Sequence, residues 1–224
     1  MDFNNRVVTT VDIFGHNVWI TQTHISTWVI MAVLILVALM IRSTIGRFTE
    51  VPTGKQNLVE FAVETFDNFV VSTMGANLRG FGNWFFGIFI FVLASNFSGL
   101  FGLRPPTADV STTLVLSTTT FLLVHITGLI KAPREYFKGY LQPFFLFLPM
   151  NIIGELSIIV SLAFRLFGNI LSGVMILGVV YYLLPWGLTL VLPAFLHAYF
   201  DIFAGSIQAF IFTILSMMFI QGKT

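Results

Sequence analysis

The residues with the clearest chemical role lie in the stretch SLAFRLFGNILSG, Ser161–Gly173, where an arginine interrupts a long apolar run. No acidic residue accompanies Arg165 within this stretch. If the run crosses a membrane, the arginine costs about 2.5–3.5 kcal/mol on insertion scales, and such a residue faces a partner or water. On a helix, Asn169 and Ser172 fall, like Ser161, within about 40° of Arg165. The stretch therefore predicts a polar stripe around a fixed positive charge.

Other ionisable groups lie on either side of this stripe. Glu155 precedes it, and His197 and Asp201 lie in the apolar segment that follows it. If that segment is an α-helix, His197, Asp201 and Gln208 fall within about 40° of one another. His125 lies in an earlier apolar segment. Polar groups are therefore concentrated on one side of each of the last two apolar segments.

The Pro-Trp-Gly turn within LLPWG, Leu183–Gly187, predicts that these two segments form a helical hairpin. Folding them about a turn near residue 186 brings Arg165 to the level of Gln208. The same fold brings Ser172 to the level of Asp201. The hairpin therefore predicts which residues of its two arms lie at equal depth.

Carboxylates then lie toward both membrane surfaces. Asp201 is displaced from Arg165 by roughly 10 Å toward one surface, and Glu155 by roughly 15 Å toward the other. This placement predicts two polar half-paths that meet at the arginine and are blocked by it. A second component must then carry a cation sideways past the block. The alternative is a direct Arg165–Asp201 pair that only holds two helices together, and the displacement disfavours it.

The composition indicates that these segments lie in a membrane. The 224 residues are 56% hydrophobic and 9% charged, whereas soluble domains carry about 25% charged residues. Cysteine is absent, which excludes disulfides, thiolate metal sites and cysteine nucleophiles. The net charge of +1 gives no indication of nucleic-acid binding. The first residues lack a cationic start followed by an apolar core, so we expect no cleavable signal peptide.

The hydrophobic pattern predicts an all-α integral membrane protein that forms a single membrane domain with five spans. The predicted spans are 24–43, 84–103, 110–130, 149–184 and 188–221. The last two form the long hairpin, and each exceeds the about 20 residues needed to cross, so both must tilt or bend.

Residues 52–74 differ from the spans because their apolar residues recur at helical spacing on one side and their acidic residues lie on the opposite side. They predict an amphipathic helix at the membrane surface, with a solvated linker helix as the alternative. The apolar face comprises Leu58, Phe61, Ala62, Thr65, Phe66 and Phe69, and the opposite face Glu60, Glu64 and Asp67.

Basic residues in the loops predict the orientation of the chain. With the N-terminus outside, only Arg6 and Arg104 lie on the outer side. The inner side then carries Arg42, Arg47, Lys55, Arg79, Lys131, Arg134, Lys138 and Lys223. The positive-inside rule therefore favours an outer N-terminus and an inner C-terminus.

Several motifs resemble subunit a of the F-type ATP synthase, the ATPase subunit 6 family. They are RLFGN (Arg165–Asn169), IQAFIF (Ile207–Phe212), PTADV (Pro106–Val110), and Pro52, Gln56 and Glu60 at four-residue spacing. The motifs occur in the family's order, and the resemblance covers essentially the whole chain.

The resemblance implies a stator subunit of the F0 motor that presses two long tilted helices against a rotating ring of c subunits. It implies two offset half-channels separated by an essential arginine, so that ion flow, with H⁺ as the expected ion, drives ring rotation and ATP synthesis. The isolated chain is then expected to have no catalytic site, cofactor or metal. The implied partners are the c-subunit ring, b-type peripheral-stalk subunits, the rest of the F1F0 complex and the lipid bilayer, without nucleic acid. The expected location is the bacterial plasma membrane, with the mitochondrial inner or thylakoid membrane as the alternative.

The resemblance also assigns roles by position. Arg165 is similar to the family's essential arginine, and Asn169 and Gln208 to the amides beside it, with Gln208 bonding the guanidinium. Asp201 falls in the outer half-channel and Glu155 on the inner path. The remaining residues expected along the ion path are Asn96, Asp109, Ser172 and His197.

The chain departs from the family pattern at one position. Many relatives carry Glu or His after the glycine that corresponds to Gly173, whereas this chain has Val174. We therefore expect Asp201 to carry more of the transfer, with His197 one turn away as a second proton carrier. The alternative is that His197 only hydrogen-bonds a neighbouring backbone or hydroxyl group. H⁺ or Na⁺ selectivity would reside mainly in the c subunits.

Three other classes of protein compete with this interpretation. A self-contained secondary transporter usually has internal repeats, and the sequence has none. An intramembrane enzyme needs a nucleophile–base pair or a metal site, but Ser206 and His197 do not share a helix face and no HExxH motif occurs. A structural helix-bundle subunit explains the arginine but not its place between two distant carboxylates. Transport by the purified chain alone, or co-purification with a c-ring, would distinguish these classes.

Overall fold

The computed structural model describes residues 7–13, 16–46, 48, 54–142, 144–183 and 191–223. Within these residues, the segments long and apolar enough to cross a membrane are Gln22–Ile45, Ala76–Phe101, Val110–Lys131, Phe145–Leu183 and Leu192–Gln221. The predicted all-α membrane architecture with five spans is therefore confirmed.

The helices, in chain order, are α1 (Gln22–Ile45), α2 (Lys55–Met74), α3 (Gly82–Phe97), α4 (Val110–Lys131), α5 (Pro133–Leu141), α6 (Leu148–Leu183), α7 (Val191–His197) and α8 (Gly205–Gln221). Shorter 3₁₀ turns occupy Ala76–Phe81, Ser98–Phe101, Pro106–Ala108 and Phe145–Phe147. A π-helical stretch, Ala198–Ala204, joins α7 to α8 and is called the π segment below. The first residues of the predicted surface helix and the predicted turn after Leu183 lie outside the described residues.

The N-terminal part of the chain contains a two-stranded ribbon, which the hydropathy pattern did not predict. Strands β1 (Val7–Ile13) and β2 (His16–Thr21) pair antiparallel, with Ile13 opposite His16 and Asp12 opposite Asn17. Val and Thr are abundant in β1, and such β-branched residues favour strands. This signal was available, but the neighbouring long apolar helix dominated the hydropathy pattern.

Local sequence also explains α4 and α5. Asp109 caps α4, because its side chain accepts a hydrogen bond from the backbone N–H of Ser111 at 3.1 Å. Ala132 leaves the helical conformation just before a proline, as expected from the clash that proline imposes on its predecessor. Pro133 then starts α5 at the position where proline is tolerated. The basic residues of this stretch predicted a loop, which is wrong for Pro133–Leu141.

Helix α8 lies at the centre of the bundle. One buried cluster joins it to α2, α3 and α4, and a second joins it to α3 and α6. Apolar burial gives helices little net attraction inside lipid, so close van der Waals packing and interhelical hydrogen bonds must hold them together. The buried residues of the two clusters are Val70, Met74, Leu78, Phe85, Val124, Met217 and Ile220, and Ile88, Val92, Leu162, Leu166, Ala209 and Phe212.

Helix α2 has the predicted amphipathic character, but its apolar residues divide between two environments. Val70 and Met74, toward its C-terminal end, are buried in the bundle, and Phe69 stacks on Phe210 of α8 with ring centroids 5.4 Å apart. Leu58 and Phe61, toward its N-terminal end, are 72% and 68% exposed. One end of the helix is therefore anchored in the bundle, and the other leaves its apolar side chains available to lipid.

The two arms of the hairpin approach closely at a glycine. A Cβ placed on Gly173 of α6 would lie 3.1 Å from the Cβ of Phe200 in the π segment, so a larger residue would push the arms apart. This contact lies one residue along each arm from the predicted pair Ser172 and Asp201. At this point the arms therefore have the predicted depth register.

Candidate functional site

Arg165 lies on the outward side of α6. Leu162 and Leu166 on the same helix are buried against Ala209 and Phe212 of α8, and this packing fixes how α6 is rotated. Arg165 is exposed, and within the described residues it forms no hydrogen bond or ion pair. Its guanidinium is therefore directed away from its own bundle and is available to a group outside this chain.

The polar stripe predicted around Arg165 is also largely outward. Ser161 and Ser172 are exposed, and Asn169 is half-buried. Ser172 donates to the carbonyl oxygen of Gly168 at 2.6 Å, a bond within its own helix. The stripe therefore follows one helix face, as the helical spacing predicted.

Gln208 lies on α8 and is 7% exposed. Its Nε2 is buried and has no hydrogen-bond partner in the described part of the chain, and no bond joins it to Arg165. The pairing of Gln208 with the guanidinium therefore stays a prediction. A buried amide donor without a partner costs about 1–3 kcal/mol, and such an exception in a native structure requires an explanation.

Asp201 lies in the π segment and is 8% exposed. Its Oδ2 is 2.6 Å from Nδ1 of His197, and Nε2 of His197 is 3.2 Å from the hydroxyl of Tyr181 at the end of α6. A Cβ on Gly99 would lie 3.0 Å from the same Oδ2, so the carboxylate occupies space that only a glycine leaves open. Asp201 thus pairs with His197 and forms no ion pair with Arg165. This observation argues against the alternative in which an Arg165–Asp201 pair only holds two helices together.

The π segment explains why simple helix arithmetic is incomplete here. A π turn holds more residues than an α turn and is frequent at functional sites. The prediction that His197, Asp201 and Gln208 share one face assumed uninterrupted α geometry. The contact between His197 and Asp201 is present, but the angular relation of both to Gln208 is altered, because the π segment lies between them.

Asn96 lies next to this region and connects three elements. Its Nδ2 donates to the carbonyl oxygen of Gly205 at 2.8 Å, and its Oδ1 accepts from the hydroxyl of Thr107 at 2.9 Å. The side chain is 0% exposed. Asn96 therefore ties α3 to the start of α8, whereas Asp109, also expected on the outer path, caps α4.

Glu155 belongs to a second polar cluster, near the beginning of α6. It forms an ion pair with Lys223, which follows α8. Nearby, Nδ1 of His125 is 2.8 Å from the hydroxyl of Tyr136, which is 3.2 Å from the hydroxyl of Tyr140. Burial, the hydrogen bond to Tyr136 and the negative charge of Glu155 raise the pKa of Tyr140, so this hydroxyl stays protonated. We call these five residues the inner cluster, after the side on which the basic loops are expected to lie.

The structure therefore groups the predicted residues into three places along α6. Asp201 and His197 lie toward its C-terminal end, Arg165 lies on its outward face, and Glu155 lies toward its N-terminal end. Four residues of these clusters were not predicted from the sequence as site residues: Tyr181, Lys223, Tyr136 and Tyr140. The four-residue spacing of the two α5 tyrosines is the one signal that would have placed them on a common face.

Comparison with known proteins identifies the family. A family model described as the ATP synthase A chain matches residues 24–221. The "ATP synthase subunit a, sodium ion specific" of Propionigenium modestum is 33% identical over 221 residues, 91% of this chain and 74% of the relative. ATP synthase subunit a of Trichlorobacter lovleyi is 34% identical over 202 residues, 88% of this chain and 84% of the relative. ATP synthase subunit a 2 of Acaryochloris marina is 36% identical over 207 residues, 92% of this chain and 86% of the relative. The chain therefore belongs to the ATP synthase A chain family.

Proposed function

We propose that this chain is the stator ion-channel subunit of the F0 motor. It provides two offset half-channels separated by Arg165, so that ion flow drives rotation of a c-subunit ring and ATP synthesis. Family membership supports the place in an ATP synthase complex. The observation that carries the finer proposal is that Arg165 is exposed and has no partner in the described residues. The carboxylate of Glu155 lies near the N-terminal end of α6, and that of Asp201, in the π segment, lies near its C-terminal end.

Arg165 acts on the ring through its charge. A guanidinium beside a ring carboxylate favours the ionised form of that carboxylate. The ring carboxylate must therefore release its ion into one half-channel before it passes Arg165, and it binds another ion from the opposite half-channel afterwards. Asn169 and Gln208 hold this encounter in place by hydrogen bonding.

The outer half-channel uses Asp201 and His197, and the inner half-channel uses Glu155. Ser172, Asn96 and Asp109 lie along or support the outer route. Support comes from the separation of the two carboxylates along α6 and from the close approach of the hairpin arms at Gly173. We propose H⁺ as the coupling ion, because an imidazole between a hydroxyl and a carboxylate suits proton transfer. The relative from Propionigenium modestum is named as sodium ion specific, so sodium is the alternative.

The proposed orientation places the N-terminus outside and the end of the bundle that carries Lys131 and Lys223 inside, in a bacterial plasma membrane. We call the latter end the inner end. The partners are the c-ring, the peripheral-stalk b subunits and the rest of the complex, and the isolated chain performs no catalysis.

The deciding experiment removes the charge of Arg165. We expect Arg165→Gln to abolish ATP synthesis and ATP-driven pumping, and Arg165→Lys to fail almost as completely, because an ammonium lacks the planar fork of a guanidinium. The complex should still assemble, since loss of the charge relieves an insertion cost. Pumping is measured in inverted vesicles, and assembly by retention of the c-ring on purification.

Arg42→Gln is the matched control, because Arg42 is an exposed arginine in the last turn of α1. It should pump normally. Near-normal pumping by Arg165→Gln would refute the proposed mechanism.

A further inference from the structure

The inner cluster has the composition of a site for a small cation. The ammonium of Lys223 pairs with Glu155 and lies 5.1 Å from the ring centroid of Tyr140 and 5.9 Å from that of Tyr136. A carboxylate with aromatic faces is an arrangement that binds ammonium groups in proteins. The site is therefore already occupied by a cation of the chain itself.

A glycine allows the lysine to reach this site. A Cβ on Gly128 of α4 would lie 2.8 Å from the ring of Tyr136, 3.2 Å from the Cβ of Lys223 and 3.3 Å from its carbonyl oxygen. The absence of a side chain at Gly128 thus lets the segment after α8 dock against α4. The contact positions the lysine over the beginning of α6.

The cluster retains capacity for another proton or cation. Oε2 of Glu155 and Nε2 of His125 are buried and have no hydrogen-bond partner within the described residues. Both residues line a cavity of about 430 Å³ between α4, α5 and α6. The titratable groups that face Glu155 are His125 from α4, Tyr136 and Tyr140 from α5, and Lys223 from the segment after α8.

We propose that Lys223 is an internal competitor for the translocated cation at Glu155. Its ammonium occupies the carboxylate until a monovalent cation, H⁺ or Na⁺, displaces it, and it returns when that cation moves on. One positive charge replaces another at the carboxylate, so the exchange conserves charge. Na⁺ replaces the ammonium as an ion, whereas H⁺ is transferred from a hydronium ion, whose O–H bond breaks as the O–H bond of the Glu155 carboxyl group forms. The inference rests on the proposed function, because that function assigns Glu155 to the inner path.

The test uses the whole ATP synthase in inverted vesicles, whose bath contacts the inner end of the bundle. ATP-driven pumping is measured against bath pH, and against sodium concentration at fixed pH, which identifies the displacing ion. Lys223→Gln should reach half-maximal pumping at an ion concentration about tenfold lower, the effect of losing one charge-assisted hydrogen bond, with an unchanged maximal rate. Lys223→Arg should require a higher concentration, because the guanidinium can bind the carboxylate in a bidentate manner.

Lys131→Gln is the matched control. Lys131 lies at the same end, is exposed, and donates to the carbonyl oxygen of Asn77 at 2.9 Å instead of to Glu155. It should show no shift. The proposal is overturned if Lys223→Gln leaves the half-maximal ion concentration unchanged or raises it. If Lys223→Gln does not assemble, Lys223→Arg decides: a higher half-maximal concentration supports the proposal, and an unchanged or lower one overturns it. Failure here with an inactive Arg165→Gln leaves the proposed function intact, whereas an active Arg165→Gln removes both.

Discussion

The hydrogen bonds around Asp201 connect it through His197 to Tyr181, an arrangement along which a proton can be relayed. If Nδ1 of His197 carries the proton, it donates to Asp201, and Nε2 is left to accept from the hydroxyl of Tyr181. A proton that arrives at the tyrosine end can then leave at the carboxylate. Because Tyr181 is exposed and Asp201 is buried, the three hydrogen-bonded side chains extend from the surface toward the interior, as the proposed proton route requires.

Substitution of Asp201 tests this route. Asp201→Asn keeps the size and hydrogen bonding of the side chain but removes proton exchange, so ATP-driven pumping should slow severely. Val174→Glu in the same background should restore part of the rate, since Val174 follows Gly173, which packs against the π segment. Proton pumping in inverted vesicles across a pH range measures both effects.

The variant Val174→Glu alone is the control for that rescue. Wild-type pumping by Asp201→Asn at every pH would show that Asp201 only tethers helices. The outer path would then have to run through Asp109 and Asn96.

At the scale of elements, the helices that position these groups are held by a few polar ties. Asn96 satisfies two partners on different elements, Gly205 and Thr107, at a point where the π segment changes to α8. Gly205 is also close-packed there, since a Cβ on it would lie 3.0 Å from the Cβ of Asn96. Asn96 therefore fixes the helix on which Asp201 is carried.

Removing this tie should loosen the π segment. Asn96→Leu has similar volume but leaves the Gly205 carbonyl and the Thr107 hydroxyl unpaired, and the loss of interhelical bonds in a membrane is worth about 1–2 kcal/mol. We expect a lower thermal midpoint of the purified complex and slower pumping. Thr119→Val is the control, because the exposed hydroxyl of Thr119 bonds only within α4, to Val115 at 2.7 Å. Equal stability of the two variants would contradict the role of Asn96.

The elements also show which features sequence patterns can predict. Five spans follow from hydropathy over about 20 residues, a strong and local signal. The polar stripe of Arg165 follows from helical spacing, because α6 is regular there. Its outward direction depends on the packing of Leu162 and Leu166 against α8. The π segment and the ion pair of Lys223 with Glu155 depend on contacts between residues that are distant in sequence, so no local sequence pattern predicts them. Strand β1 and helix α5 were too short to stand out beside the long apolar helices.

At the scale of the whole molecule, the two ends of the bundle differ in charge and shape. Lys131, Lys223 and α5 lie together at the inner end, whereas the ribbon precedes α1 and exposes Trp19 by 64%. Aromatic residues of this kind are enriched at membrane interfaces. The asymmetry suits a fixed orientation in the membrane.

Single-cysteine labelling tests that orientation without background, since the chain has no cysteine of its own. Asn17→Cys on β2 and Lys138→Cys on α5 are both exposed positions. In intact cells an impermeant maleimide should label the Asn17 variant alone, because basic loops stay inside. Inverted vesicles should give the opposite pattern, and the reverse result in both preparations would require an inner N-terminus.

The outward position of Arg165 also bears on biogenesis. Before a partner covers α6, this guanidinium faces lipid, where a charge at mid-helix costs about 2.5–3.5 kcal/mol on insertion scales. The newly inserted chain is therefore less stable alone than beside a group that pairs with the arginine. If assembly covers the arginine with a partner, it relieves that cost, and we expect a chain without its partner to be degraded faster than the assembled one.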